Sequence, residues 1–162
     1  MTLAGRPLRA CTAVAEADGE LNVLAVDAGR IAVRTASGVR LLSGTGGVLR
    51  EFTVRARAAA LSGNRLAVRT AEAVELYDTN SGRLAARFPA ARSLRLQDLD
   101  RAILVTALGR TVTLRRLGRG RTSTIQAAGT AWAKLERPGL FVAGGRRVTF
   151  TPIRDVLRQL GG

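Results

Sequence analysis

Apolar residues in this chain recur in short alternating runs, and the runs themselves repeat. Ile31-Ala32-Val33-Arg34-Thr35-Ala36 returns as Leu66-Ala67-Val68-Arg69-Thr70-Ala71. It returns again, more loosely, as Ile103-Leu104-Val105-Thr106-Ala107 and Leu140-Phe141-Val142-Ala143, at offsets of 35, 37 and 37 residues. Each copy is followed by a pair of apolar residues two apart: Val39 and Leu41, Val74 and Leu76, Val112 and Leu114, Val148 and Phe150. A period of two places these pairs on one strand face, expected to be core, and Arg40, Glu75, Thr113 and Thr149 on the other, wetter face. Self-similarity at this spacing marks a repeat architecture in which stacked units share one continuous core.

Further runs flank each copy. Leu24 and Val26, Ala59 and Leu61, Leu94 and Leu96, and Trp132 among alanines before Leu135 lie ahead, and Val48 to Val54 or Arg83 to Phe88 lie behind. The pattern predicts an all-β chain with four antiparallel strands in each of four repeats, at about 21–55, 56–91, 92–128 and 129–153. Residues 1–162 are expected to form a single domain. Ala28-Gly29-Arg30, Ser62-Gly63-Asn64 and Pro138-Gly139 supply turns, and Asp98-Leu99-Asp100 fills the same slot in the third copy. After Pro152, Ile153, Val156, Leu157 and Leu160 fall on one helical face, which predicts a short C-terminal helix over 154–160. That helix leaves the fourth repeat without an outer strand. Residues 8–15 have a β-compatible composition and are the candidate strand to complete it.

Four short strands per repeat, over roughly residues 21–153, resemble the blades of a β-propeller of the WD40-like or TolB-like kind. The clearest stretch is Glu75-Leu76-Tyr77-Asp78-Thr79-Asn80-Ser81-Gly82-Arg83, similar to the apolar-aromatic-Asp and Thr/Ser-Gly that close the third strand of many such blades. The first repeat has Leu42-Ser43 where Tyr77-Asp78 would fall, and no copy carries the Gly-His and Trp-Asp pair of strict WD40 repeats. Residues 137–152 resemble the last blade of large bacterial propeller proteins of unassigned function. The resemblance implies a non-catalytic scaffold, in a small or partial ring, that presents loops to a protein or ligand. An open arc would expose apolar faces and strand edges and favour dimerisation. A fragment of a larger propeller, with no function of its own, would have the same sequence features.

Charge adds a second reading. The chain holds 26 basic and 12 acidic residues, a net charge of +14, and Lys134 is its one lysine. The arginines are scattered, so a solvated basic surface competes with an anion-binding or nucleic-acid-binding module. Arg115, Arg116, Arg119 and Arg121 form the densest stretch and are the candidate anion-binding residues. Contacts from them would be salt-sensitive and largely sequence-independent. Nucleic acid is not favoured, because aromatics interleaved with the basic residues are absent.

Other chemistry has little to stand on. With no histidine and one cysteine, Cys11, the sequence offers neither the commonest general base nor a disulfide, and no enzyme, metal or cofactor is expected. Asp98 and Asp100, flanked by Arg95 and Arg101, read as a solvated turn. Ser43-Gly44-Thr45-Gly46-Gly47 reads as a turn without the Gly-Lys-Ser/Thr of a phosphate loop. Trp132 is expected in the core. No apolar run approaches the ~18 residues of a membrane span. Arg6, Arg9, Glu16 and Asp18 interrupt any signal-peptide pattern in residues 1–20. A cytoplasmic location is therefore the default expectation, or an extracytoplasmic one if further sequence precedes Met1.

Overall fold

The computed structural model describes residues 22–100 and 102–161. The candidate closing strand 8–15, Cys11 and Arg101 lie outside the described residues. Each strand pairs antiparallel with the next in its repeat. The first sheet orders β1 (Asn22–Asp27), β2 (Arg30–Arg34), β3 (Val39–Ser43) and β4 (Val48–Phe52). The second orders β5 (Ala58–Ser62), β6 (Arg65–Arg69), β7 (Ala73–Asp78) and β8 (Leu84–Pro89). The third orders β9 (Arg95–Asp100), β10 (Ile103–Leu108), β11 (Thr111–Arg116) and β12 (Thr122–Gln126). Among the described residues the fourth has three strands, β13 (Trp132–Leu135), β14 (Gly139–Gly144) and β15 (Arg147–Pro152), followed by α1 (Ile153–Gln159).

The first strands of consecutive sheets adjoin, β1 beside β5, β5 beside β9 and β9 beside β13. Among the described residues the four sheets do not close into a ring. Three apolar layers lie between them. Ala32, Val39, Leu41 and Phe52 of the first sheet meet Leu61, Leu66 and Val68 of the second, with the Phe52 and Tyr77 rings 5.2 Å apart. Ala60, Ala67, Val74 and Leu76 meet Leu99 and Leu104 in the next layer. Ile103, Val105, Val112 and Leu114 meet Ala133, Leu135, Leu140 and Val142 in the last. The second strand of each inner sheet is therefore buried on both faces, which is why Leu66-Ala67-Val68 is an unbroken apolar run while β7 alternates. Full burial of each such side chain contributes about 1.5–3 kcal/mol.

Pairing corrects the repeat register. Ala67 pairs with Leu76 and Val105 with Leu114, so the third copy is offset from the second by 38 residues and the fourth from the third by 36, where Phe141 pairs with Phe150. The equal offsets of 37 read from the apolar runs slip β10 by one residue, which in a strand exchanges its two faces.

Two expectations about the core fail in the fourth sheet. Val39, Leu41, Val74, Leu76, Val112 and Leu114 are at most 4% exposed, whereas Val148 and Phe150 at the same repeat positions are 70% and 49% exposed. Trp132, expected in the core, is half exposed. It shares that outer face, since Trp132 pairs with Ala143 and Ala143 with Val148.

The helix follows its predicted face. Val156 and Leu160 are buried in the third layer, with Ile153 and Leu157 packed against it. Asp155 in the first turn accepts from Arg158 at 2.7 Å. The α1 segment takes up chain that the other sheets use for a fourth strand. Pro152 ends β15, and α1 turns its apolar side into the gap beside β14 and β15.

Asp98 departs from its expected solvated turn. It lies inside β9 and is buried, and its Oδ2 accepts from the Leu135 N–H at 2.9 Å and pairs with Lys134 at 3.2 Å. The carboxylate thus ties the third sheet to the fourth, and the turn itself falls after Asp100. Asp78, the last residue of β7, holds the turn that follows it. Its Oδ1 accepts from the Ser81 N–H at 2.7 Å, the Ser81 hydroxyl at 2.9 Å and the Asn80 N–H at 3.1 Å. The Ser81 bonds, backbone first and hydroxyl second, hold its carboxyl below the ordinary carboxylate range.

Leu114→Ala is expected to lower stability by about 2–5 kcal/mol in urea unfolding, because it opens a cavity in a layer between sheets. Leu84→Ala, on the exposed outer strand β8, is expected to change it by about 0.5 kcal/mol or less. The lowered pKa of Asp78 predicts a pH dependence of stability. Its contribution is present above the unfolded-state value of about 4 and is lost as pH falls through the lower folded value. Thermal midpoints recorded against pH should show a shallower acid decline in Asp78→Asn than in the parent chain.

Candidate anion-binding cleft

The four arginines singled out by density do not converge on one point. Arg115 and Arg116 end β11, and Arg119 and Arg121 lie in the turn before β12. The Arg115 guanidinium stacks 4.7 Å over the Phe88 ring of the second sheet. Nη1 of Arg116 is buried without a hydrogen-bond partner among the described residues. Arg119 donates to the Gly161 carbonyl at 3.4 Å. Arg121 packs so closely on Gly161 that a Cβ there would collide with its guanidinium. The stretch therefore splits, one part facing the second sheet and the other holding the chain after α1.

A different group of arginines does come together. Where β5 and β9 begin, a cleft of about 470 Å³ is lined by Arg57, Arg69, Arg92 and Arg95, with Ser93 and Gln97. No carboxylate lines it. Arg69 closes β6 and is its floor. Only 2% exposed, Arg69 donates to the carbonyls of Leu94 at 2.9 Å and Ala91 at 2.7 Å in the link to the third sheet. It also donates to the carbonyls of Thr70, Ala73 and Arg92. Burial, and then the positive charge of Arg57, lower its pKa from the ordinary arginine value. The side chains of Arg57 and Arg92 are exposed and make no hydrogen bond or ion pair among the described residues. Arg95 spends one nitrogen on the Ala131 carbonyl.

These positions concentrate uncompensated positive charge over a fixed, buried guanidinium, an arrangement suited to a carboxylate or phosphate group. A neighbouring hollow of about 460 Å³ shares Arg57 but contains Glu72 and Glu75, both paired with Arg87. The cleft escaped the sequence reading because its arginines come from three separate segments, at Arg57, at Arg69 and at Arg92 to Arg95. The repeat carries the one signal: Arg34 and Arg69 end equivalent strands, and Arg34 likewise donates to a linking carbonyl, that of Arg57, at 3.0 Å.

No protein-family model matches the sequence, and no curated protein matches it. Solved structures do. Hsv2 of Kluyveromyces lactis, with a Gly-Ser linker in place of loop 6CD, superposes at a TM-score of 0.68 and 11% identity, over 83% of this chain and 50% of that one. The fold is that of a β-propeller. U3-55K matches these blades at a TM-score of 0.58 and 17% identity, over 83% of this chain and 50% of that one. The computationally designed protein Ika4 matches at 0.58 and 13% identity, over 87% of this chain and 96% of that one. The four blades span about half the length of Hsv2 and of U3-55K, and at these identities the likeness concerns the propeller fold.

Arg69→Met would leave the linking carbonyls between the second and third blades without their donor. It is expected to cost about 3 kcal/mol in chemical unfolding, against about 0.5 kcal/mol or less for Arg92→Met.

Proposed function

We propose that this propeller is a non-catalytic scaffold that captures an acidic protein segment in the cleft between its second and third blades. The observation that carries this reading is the cleft itself, with Arg57, Arg92 and Arg95 around the buried Arg69 and no carboxylate in the lining. Exposed arginines beside a fixed one bind carboxylates through paired N–H donors, and the rigid floor lowers the ordering cost of binding. The chain has no histidine for acid–base work, and among the described residues no three His, Cys, Asp or Glu side chains gather as metal ligands. A protein segment is favoured over nucleic acid because no aromatic side chain lines the cleft to stack on bases.

Fluorescence anisotropy with a labelled poly-glutamate peptide tests this. Binding is expected to weaken steadily as salt rises, and to weaken about tenfold or more in Arg57→Glu and Arg92→Glu while Arg119→Glu stays near the parent affinity. Equal losses in all three variants, or binding indifferent to salt, would remove the cleft as the site. Tighter binding of a single-stranded oligonucleotide than of the peptide at the same salt would replace the acidic segment with nucleic acid.

A further inference from the structure

The fourth blade presents a largely apolar face, with Lys134 as its charged position. Trp132, Phe141, Ala143, Val148 and Phe150 lie on it, with the Phe141 and Phe150 rings 4.9 Å apart. By the corrected register Val148 and Phe150 occupy the positions through which each earlier blade receives the next one. At those positions the earlier blades are sealed. An apolar face of this kind, built in repeat, marks a site of association.

The first blade carries the complementary surface. In the internal interfaces the docking face is made by Leu61, Leu66 and Val68 on the second blade. Val26, Ile31 and Val33 stand at the same repeat positions in the first blade, where pairing joins Val26 to Ile31 as it joins Leu61 to Leu66. Leu61 is 6% exposed and Val26 is 65% exposed. Val33 and Leu42 on this face are buried, while Val23 and Val26 on β1 stay open. Contact between first strands is also how the internal blades adjoin, so β1 is the element that a neighbouring β13 would meet.

We infer that a second copy of this chain covers both faces. The fourth blade of each copy seats on the first blade of the other, and two four-blade arcs close one eight-blade ring. Each arc holds one accepting face and one docking face, and among the described residues these stand apart because the sheets do not close. Two copies joined through both contacts form a closed two-fold assembly with no face left over. Propellers typically have four to eight blades, so a ring of two copies stays within that range and a ring of three would exceed it.

Light scattering on the eluting protein reads the mass directly. The parent chain is expected at twice its own mass, and Phe150→Arg and Val26→Arg, on opposite faces, are each expected to halve it. Mixing these two variants is expected to restore a dimer, because the pair retains one wholly unaltered contact. Far-UV circular dichroism checks that each variant is folded, and Phe150→Ser tests the same face with a milder change. A monomeric parent chain overturns the inference, as does a dimer untouched by both arginine substitutions. A dimer broken by Phe150→Arg, unaffected by Val26→Arg and not restored by mixing would replace the ring with two fourth blades packed face to face.

Discussion

A small sheet with apolar side chains on both faces has to be covered on both. That requirement organises this molecule. In the second and third blades the run through the second strand sends alternate residues to opposite neighbours, Leu66 and Val68 toward the first blade and Ala67 toward the third. Cohesion therefore comes from layers between blades, and each blade depends on those beside it. The helix α1 serves the same requirement at the outer part of the last layer, where Val156 and Leu160 are fully buried.

Arginine is the second organising element. Much of it is spent on backbone carbonyls where one blade hands over to the next. Arg34, Arg69 and Arg95 reach linking carbonyls at one end of the blades, while Arg30 and Arg50 reach Gly63 and Thr79 at the other. A guanidinium suits this task because its fan of donors can satisfy several acceptors without being deprotonated. The high positive charge is thus in part a structural feature of the links. Its concentration in the cleft at Arg57, Arg69, Arg92 and Arg95 is a consequence of where the links between the second and third blades begin and end.

Repeat architecture, strand order within each blade and the terminal helix were legible because they depend on local periodicity and on turn residues such as Gly29 and Gly63. Register was less so. Matching Ile103-Leu104-Val105 to Leu66-Ala67-Val68 by likeness misses the face exchange, since all six residues are apolar and a doubly buried strand has no polar side to mark its phase. Asp98 misled for a related reason. A carboxylate beside Asp100 has the composition of a turn, and only its bond to the Leu135 N–H in another blade explains its burial within a strand.

By itself, then, the sequence determined the repeating strand pattern and the helix that follows Pro152. Each of these is a matter of side-chain alternation and backbone chemistry over a few residues. The tertiary structure decided which apolar pairs are covered and which arginines gather. Val148 and Phe150 have the same pattern as Val39 and Leu41, and they differ in that, among the described residues, no blade stands against them. Burial depends on what stands opposite a face, and no local pattern encodes that.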